Sequence, residues 1–152
     1  YFPEAQEAEP VQGDADEQIA PKGNETILVV EDDEAVRQVT VRSLQNLGYV
    51  VLSARDGLEA ADIFELQHGE IDLVVVDMVM PHKSGLNVYQ ELLSIKPDLP
   101  AIFVTGYADK AELQTLISPD TPLVSILYKP FTGRILGKSV RELLDRKDMG
   151  TT

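Results

Sequence analysis

Five short apolar runs, each followed by a stretch with helical spacing, leave this chain very few folds to choose from. "TILVV" (26–30), "YVVLSA" (49–54), "IDLVVVD" (71–77), "AIFVT" (101–105) and "LVSILY" (123–128) have strand length and are rich in β-branched residues. Helical patterns separate them. "AVRQVTVRSLQNLG" (35–48) spaces Val36, Val39, Leu44 and Leu47 near one face and ends on a glycine suited to a C-cap. "GLEAADIFELQHG" (57–69) carries Ala60, Ala61 and Phe64, and "GLNVYQELLSIKP" (85–97) carries Leu86, Tyr89, Leu92 and Leu93 before Pro97 stops it. A short helix is predicted over 109–118, and a last one over 132–146 with Thr132 as its N-cap. Strands alternating with helices predict a parallel sheet covered on both faces, and a run such as "LVVV" suits a doubly buried strand.

The third run ends on a charge. Asp77 closes a strand that is apolar except for Asp72, and a buried carboxylate without a partner is costly. In an open α/β sheet, ligands bind beyond the carboxyl ends of the strands, so those ends should supply the partners. After the first strand come Glu31, Asp32 and Asp33; after the fourth, Thr105; after the fifth, Lys129 and Pro130. With Asp33 left to the helix that follows, three carboxylates (Glu31, Asp32 and Asp77), a hydroxyl and an ammonium converge on one edge. Crowded carboxylates repel, and a hard divalent cation such as Mg2+, completed by waters and a phosphate oxygen, relieves this. A lysine and a threonine beside such a site can share the charge of a phosphoryl group in transfer, and a carboxylate can be the nucleophile. Asp33 and Glu34 are expected to serve the next helix as first-turn acids. His68 and His82 fall in expected loops as ordinary polar residues, while Met78 and Met80 are expected to pack beside the site.

Four pieces in order, "ILVVEDDEAVR", "DLVVVDMVMPHKSG", "FVTGYA" and "YKPF", make residues 27–146 resemble the receiver domain of bacterial two-component response regulators. The resemblance implies a flavodoxin-like (βα)5 fold, a doubly wound five-stranded parallel sheet in the order 2-1-3-4-5. It implies that Asp77 accepts phosphate from a phosphohistidine and holds it as an acyl phosphate. Asp32 would then bind Mg2+ directly and Glu31 through water, with the backbone carbonyl of Val79 as a further ligand. Thr105 would turn toward the phosphoryl oxygen and Lys129 would pair with it. The family often has a cis peptide at the position of Lys129-Pro130, a bond type that permits it cheaply. The implied partners are the phosphohistidine domain of a histidine kinase or a histidine phosphotransfer protein, with a weak homodimer also within the family's range. The chain itself is expected to act as an acceptor and not as an enzyme.

The chain departs from the family pattern in places. Many receivers carry an aromatic three residues before the lysine, where this chain has Ile126, with Tyr128 next to the lysine instead. Gly133 and Gly137 interrupt the last helix, each weakening it by about 1 kcal/mol relative to alanine, which predicts the least stable helix. Val79 and Tyr107 flank the acceptor and offer no group suited to orient an attacking water. Slow self-dephosphorylation is expected, with Tyr107 as a shield.

Composition bounds the context. The chain has 152 residues, 26 acidic and 13 basic, for a net charge of −13, a balance opposed to nucleic-acid binding. It has no cysteine, which fits a cytoplasmic setting, and no apolar stretch near the length of a membrane span. Residues 1–25 hold seven acids against Lys22, with three prolines and few apolar side chains, and are expected to be a mobile linker. The domain is expected to fill 26–147, leaving a disordered tail at 148–152. The opening "YFPEA" resembles the last strand of a kinase ATPase domain, so the expected parent is a hybrid histidine kinase with this receiver at its C-terminus. A stand-alone single-domain regulator is the alternative. A haloacid-dehalogenase-like phosphatase would need an acid two residues past the nucleophile, where Val79 stands.

Overall fold

A computed structural model describes residues 22–67, 70–80, 83–106 and 123–150, with residues 149 and 150 described by backbone alone. Its elements run β1 (Thr26–Val30), α1 (Glu34–Asn46), β2 (Val50–Ala54), α2 (Gly57–Gln67), β3 (Leu73–Asp77), α3 (Gly85–Ile95), β4 (Ala101–Thr105), β5 (Val124–Tyr128) and α4 (Gly133–Gly150). The predicted helix over 109–118 lies outside the described residues, as do His68, His82 and Tyr107. The strands form one sheet in the order β2-β1-β3-β4-β5, and every pairing is parallel. This is the doubly wound, flavodoxin-like arrangement expected from the sequence.

Alternation along each strand divides the core in two. Leu28, Val30, Val74, Val76 and Phe103 face α2 and α3, where Ala60, Phe64, Val88, Tyr89 and Leu92 meet them. Ile27, Val29, Leu73, Val75 and Ile102 face α1 and α4, meeting Leu44, Leu136, Val140 and Leu143. All five residues of β3 and all five of β4 are buried, since helices cover both their faces. β3 can therefore present Asp77 only at its end.

Three expectations need correction. Val39 does not face the core: it is 63% exposed, and the buried stripe of α1 runs instead through Thr40, Leu44 and Leu47. The Thr40 hydroxyl is tolerated there because it donates to the Val36 carbonyl at 2.8 Å, within the helix. The linker does not reach residue 25. Gly23 N–H donates to the Leu47 carbonyl and Val50 N–H to the Glu25 carbonyl, so Lys22–Glu25 already belongs to the domain. The tail does not begin at 148, because α4 continues to Gly150, with Lys147 in its last turn 3.8 Å from Asp98.

The two glycines of α4 also take on a second role. A Cβ on Gly137 would collide with Leu47 Cδ1, and one on Gly133 would press on the Ser43 side chain at 3.2 Å. They let α4 lie close against α1. Thr132 caps the helix as predicted, its Oγ1 accepting from Ile135 N–H at 3.1 Å.

Candidate functional site

Because every strand is parallel, all carboxyl ends lie on one edge, and the register aligns them. Val30 stands beside Val76, Asp77 beside Val104, and Thr105 beside Tyr128. Hydrogen bonds carry the ladders one residue further: Glu31 N–H donates to the Ala54 carbonyl at 3.0 Å, and Lys129 N–H to the Thr105 carbonyl at 2.8 Å. Glu31, Asp77 and Thr105 are buried, at 4%, 6% and 2% exposure. Asp32 is exposed at the mouth, and the Lys129 side chain is partly buried.

Lys129 Nζ lies 3.1 Å from Asp77 Oδ2 and 3.5 Å from Glu31 Oε1, bridging the two buried acids. One carboxylate oxygen from each of Glu31, Asp32 and Asp77 falls within 4.8 Å of the others. One ammonium does not neutralise three carboxylates. Burial, and then its hydrogen bond and charge contact with Asp77, push the Glu31 carboxyl well above the usual carboxylate range. Burial alone would lower the Lys129 ammonium, but Asp77 and Glu31 outweigh it and hold the group above its ordinary value. Hard oxygens of net negative charge, two buried and one open to solvent, suit a small divalent cation that keeps some of its waters.

The loops are shaped to this end. Asp77 Oδ1 accepts from Val79 N–H at 3.0 Å, so the chain turns sharply just past the strand. Gly85 opens α3 and donates its N–H to the Met78 carbonyl at 3.1 Å. A Cβ there would strike the Asp77 carbonyl oxygen, with the Asp77 carbonyl carbon at 2.9 Å and Met78 Cα at 3.0 Å behind it. Only glycine lets the helix close the loop. Met78 and Met80 pack into the core beside it, as expected, while Val79 is 73% exposed. The peptide bond between Lys129 and Pro130 is cis.

The five polar residues expected at the sheet edge are all brought to it. Asp33 caps α1, its carboxylate accepting from Val36 N–H at 3.0 Å, while its own N–H donates to Glu31 Oε2 at 3.2 Å. Ile126, in the position where many receivers have an aromatic, packs against the core beside Phe103, and Tyr128 is half exposed. Sequence reasoning passed over Arg37. Its Nη1 donates to the Glu31 carbonyl at 3.0 Å, and its signal was a lone cation five residues past Asp32.

The sequence model described as "Response regulator receiver domain" matches residues 27–141. The chain is a receiver domain of the response regulator family. This receiver is 43% identical over 126 residues to "Sensor kinase CckA" of Brucella abortus, covering 83% of this chain and 13% of that protein. It is 39% identical over 120 residues to "Response regulator MprA" of Mycobacterium sp., covering 79% of this chain and 50% of that protein. The receiver thus spans between an eighth and a half of these relatives. Among solved structures it resembles a response regulator receiver domain protein from Clostridium thermocellum, with a TM-score of 0.73 and 30% identity, covering 82% of this chain and 98% of that one. It also resembles the receiver domain of the hybrid histidine kinase CckA, with a TM-score of 0.67 and 34% identity over 78% of this chain and 98% of that one. The response regulator TrrA of Thermotoga maritima, solved in complex with Mg(2+)-BeF, matches with a TM-score of 0.66 and 32% identity over 78% of this chain and 98% of that one. The receiver is a signalling module of two-component systems, with a group of three acids able to hold a metal ion.

Proposed function

We propose that Asp77 is the phosphoacceptor and that Glu31, Asp32, Asp77 and the Val79 carbonyl hold Mg2+. The observation that carries this reading is the three-carboxylate cluster with Lys129 Nζ 3.1 Å from Asp77. Transfer breaks the phosphorus–nitrogen bond of a phosphohistidine and forms a bond from phosphorus to an Asp77 carboxylate oxygen. The imidazole nitrogen leaves with the electron pair. Lys129 meets the incoming charge, and the Thr105 hydroxyl, one strand over from Asp77, donates to the phosphoryl group. Mg2+, when bound, neutralises charge that the crowded acids and the phosphoryl group would otherwise set against each other. The rigid β3 strand keeps Asp77 in line, and the resulting acyl phosphate biases the site toward a second conformation.

The donor is the phosphohistidine of a kinase or of a histidine phosphotransfer protein, and a hybrid histidine kinase is the parent we favour. The likeness to the CckA kinase and to the receiver of a hybrid kinase supports that context. Incubation with Mg2+ and acetyl phosphate, read by intact mass, should give one phosphoryl adduct that Asp77→Asn abolishes. An adduct that persists in Asp77→Asn, or none in the wild type with or without beryllofluoride binding, would overturn the assignment. Loss of phosphate should be slow, and a Tyr107→Ala variant decaying at the wild-type rate would remove Tyr107 as the reason.

A further inference from the structure

We propose that Arg37 is a positioning residue for the metal-binding carboxylates, acting through the peptide that joins Glu31 to Asp32. The inference rests on the reading of Glu31, Asp32 and Asp77 as the metal site.

Every polar group of Glu31 has a partner. Its N–H donates to the Ala54 carbonyl, its Oε2 accepts from Asp33 N–H, and its Oε1 faces Lys129 Nζ at 3.5 Å. Its carbonyl accepts from Arg37 Nη1 at 3.0 Å, a partly buried contact. Of these four ties, the first comes from the neighbouring strand β2 and the second lies within the turn. Among the described residues, the tie to Arg37 is the one that holds the Glu31–Asp32 peptide from outside the turn. The plane of that peptide sets the direction in which Asp32 leaves the strand, and Asp32 is the exposed member of the cluster, with no packing of its own to hold it. The backbone that carries the anchor is held in the first turn of α1, where Arg37 N–H donates to the Asp33 carbonyl. Partners behind the ligands of a metal orient them in this way.

Charge and position act in opposite directions here, which makes the idea testable by sign. A guanidinium beside an acidic cluster repels a dication, so removing its charge alone should tighten metal binding. Loss of the carbonyl anchor should weaken it, because Asp32 would then have to be ordered at the cost of binding energy. Arg37→Lys keeps a donor long enough to reach the carbonyl, and Arg37→Ala does not.

The experiment is calorimetric titration of the unphosphorylated chain with Mg2+ for wild type, Arg37→Ala, Arg37→Lys and Asp32→Asn. Amide exchange of Asp32 and Asp33 is measured in parallel without metal. We expect Arg37→Ala to bind Mg2+ about 10-fold more weakly, the lower end of what loss of such a partner produces, with Arg37→Lys recovering most of the affinity. The Asp32 and Asp33 amides should exchange faster in Arg37→Ala and at nearly the wild-type rate in Arg37→Lys. Unchanged or tighter Mg2+ binding in Arg37→Ala would overturn the proposal, as would a lowered melting temperature with affinity intact. Should Arg37→Ala not fold, Arg37→Met, which keeps the length of the side chain but has no donor, takes its place, with the same outcomes deciding. If Asp32→Asn binds Mg2+ like wild type, the metal site itself is misassigned, an outcome distinct from failure at Arg37.

Discussion

At the scale of single residues, the site is a balance of crowding and restraint. Asp77, Glu31 and Asp32 gather within 4.8 Å, and among the described residues Lys129 is the one cation paired with the two buried acids. Removing one charge should relieve the apo protein. Asp77→Asn is expected to raise the melting temperature without Mg2+ by a few degrees, about what 1 kcal/mol gives in a domain of this size. Mg2+ should stabilise the wild type, by about 2.7 kcal/mol at 100 times its dissociation constant, and the variant clearly less. Thermal denaturation with and without Mg2+ checks both. Gly85→Ala should behave oppositely, since its Cβ meets the Asp77 backbone and not a side chain that can move. We expect a loss of about 2–3 kcal/mol, with phosphorylation impaired because the displaced atoms belong to the proposed acceptor residue. Denaturant unfolding and adduct formation would show it.

Helix packing decides matters that propensity leaves open. By propensity, Gly133 and Gly137 mark α4 as the weakest helix. In the fold they are the contact points with α1, and α4 buries Leu136, Val140, Leu143 and Leu144. The two positions should respond differently to alanine. Gly137→Ala gains about 1 kcal/mol of helix propensity but forces Leu47, only 8% exposed, out of its place, so a net loss of about 1 kcal/mol is expected. Gly133→Ala meets Ser43 at 3.2 Å near the start of the helix and should be neutral or slightly stabilising. Urea unfolding of the pair separates the two effects. Amide exchange in the 140–144 turn of α4 should be slower than in α2, which buries only Gly57, Ala60 and Phe64. Faster exchange there would restore the ranking that propensity alone gives.

Across the whole molecule, the entry of the chain is tied to its last helix. Arg141 Nη2 and Nη1 reach Glu25 Oε2 and Oε1 at 2.7 and 3.1 Å, and Nε reaches Asp145 Oδ1 at 3.0 Å. The guanidinium holds the Glu25 carboxyl below its usual value of 4.5, and burial opposes it without cancelling it. A carboxyl lowered on folding stabilises the protein above its unfolded pKa, and that contribution disappears as pH falls through the folded one. Glu25→Gln should thus lower stability by about 1–2 kcal/mol near neutral pH. The difference should shrink as pH falls below 4.5. Melting curves of both proteins across that range test it.

Sequence by itself determined the fold class, the strand order through family resemblance, and the five polar residues at the sheet edge. Each follows from local pattern: apolar runs of strand length, helical spacing between them, and charges where those runs stop. Tertiary structure decided what depends on residues far apart in the chain. Val39 fits a helical apolar pattern but falls outside the stripe that meets the sheet. Glu25 looks like one more linker acid until Arg141, 116 residues away, is brought beside it. Gly137 looks like a weak point until Leu47 fills the space its missing side chain leaves. Arg37 closes the piece "ILVVEDDEAVR" with no role read for it there, and its contact is visible only once the turn after β1 puts the Glu31 carbonyl within its reach. Period and composition register the demands of local geometry and solvent, whereas contacts between distant residues leave no regular trace in a single sequence.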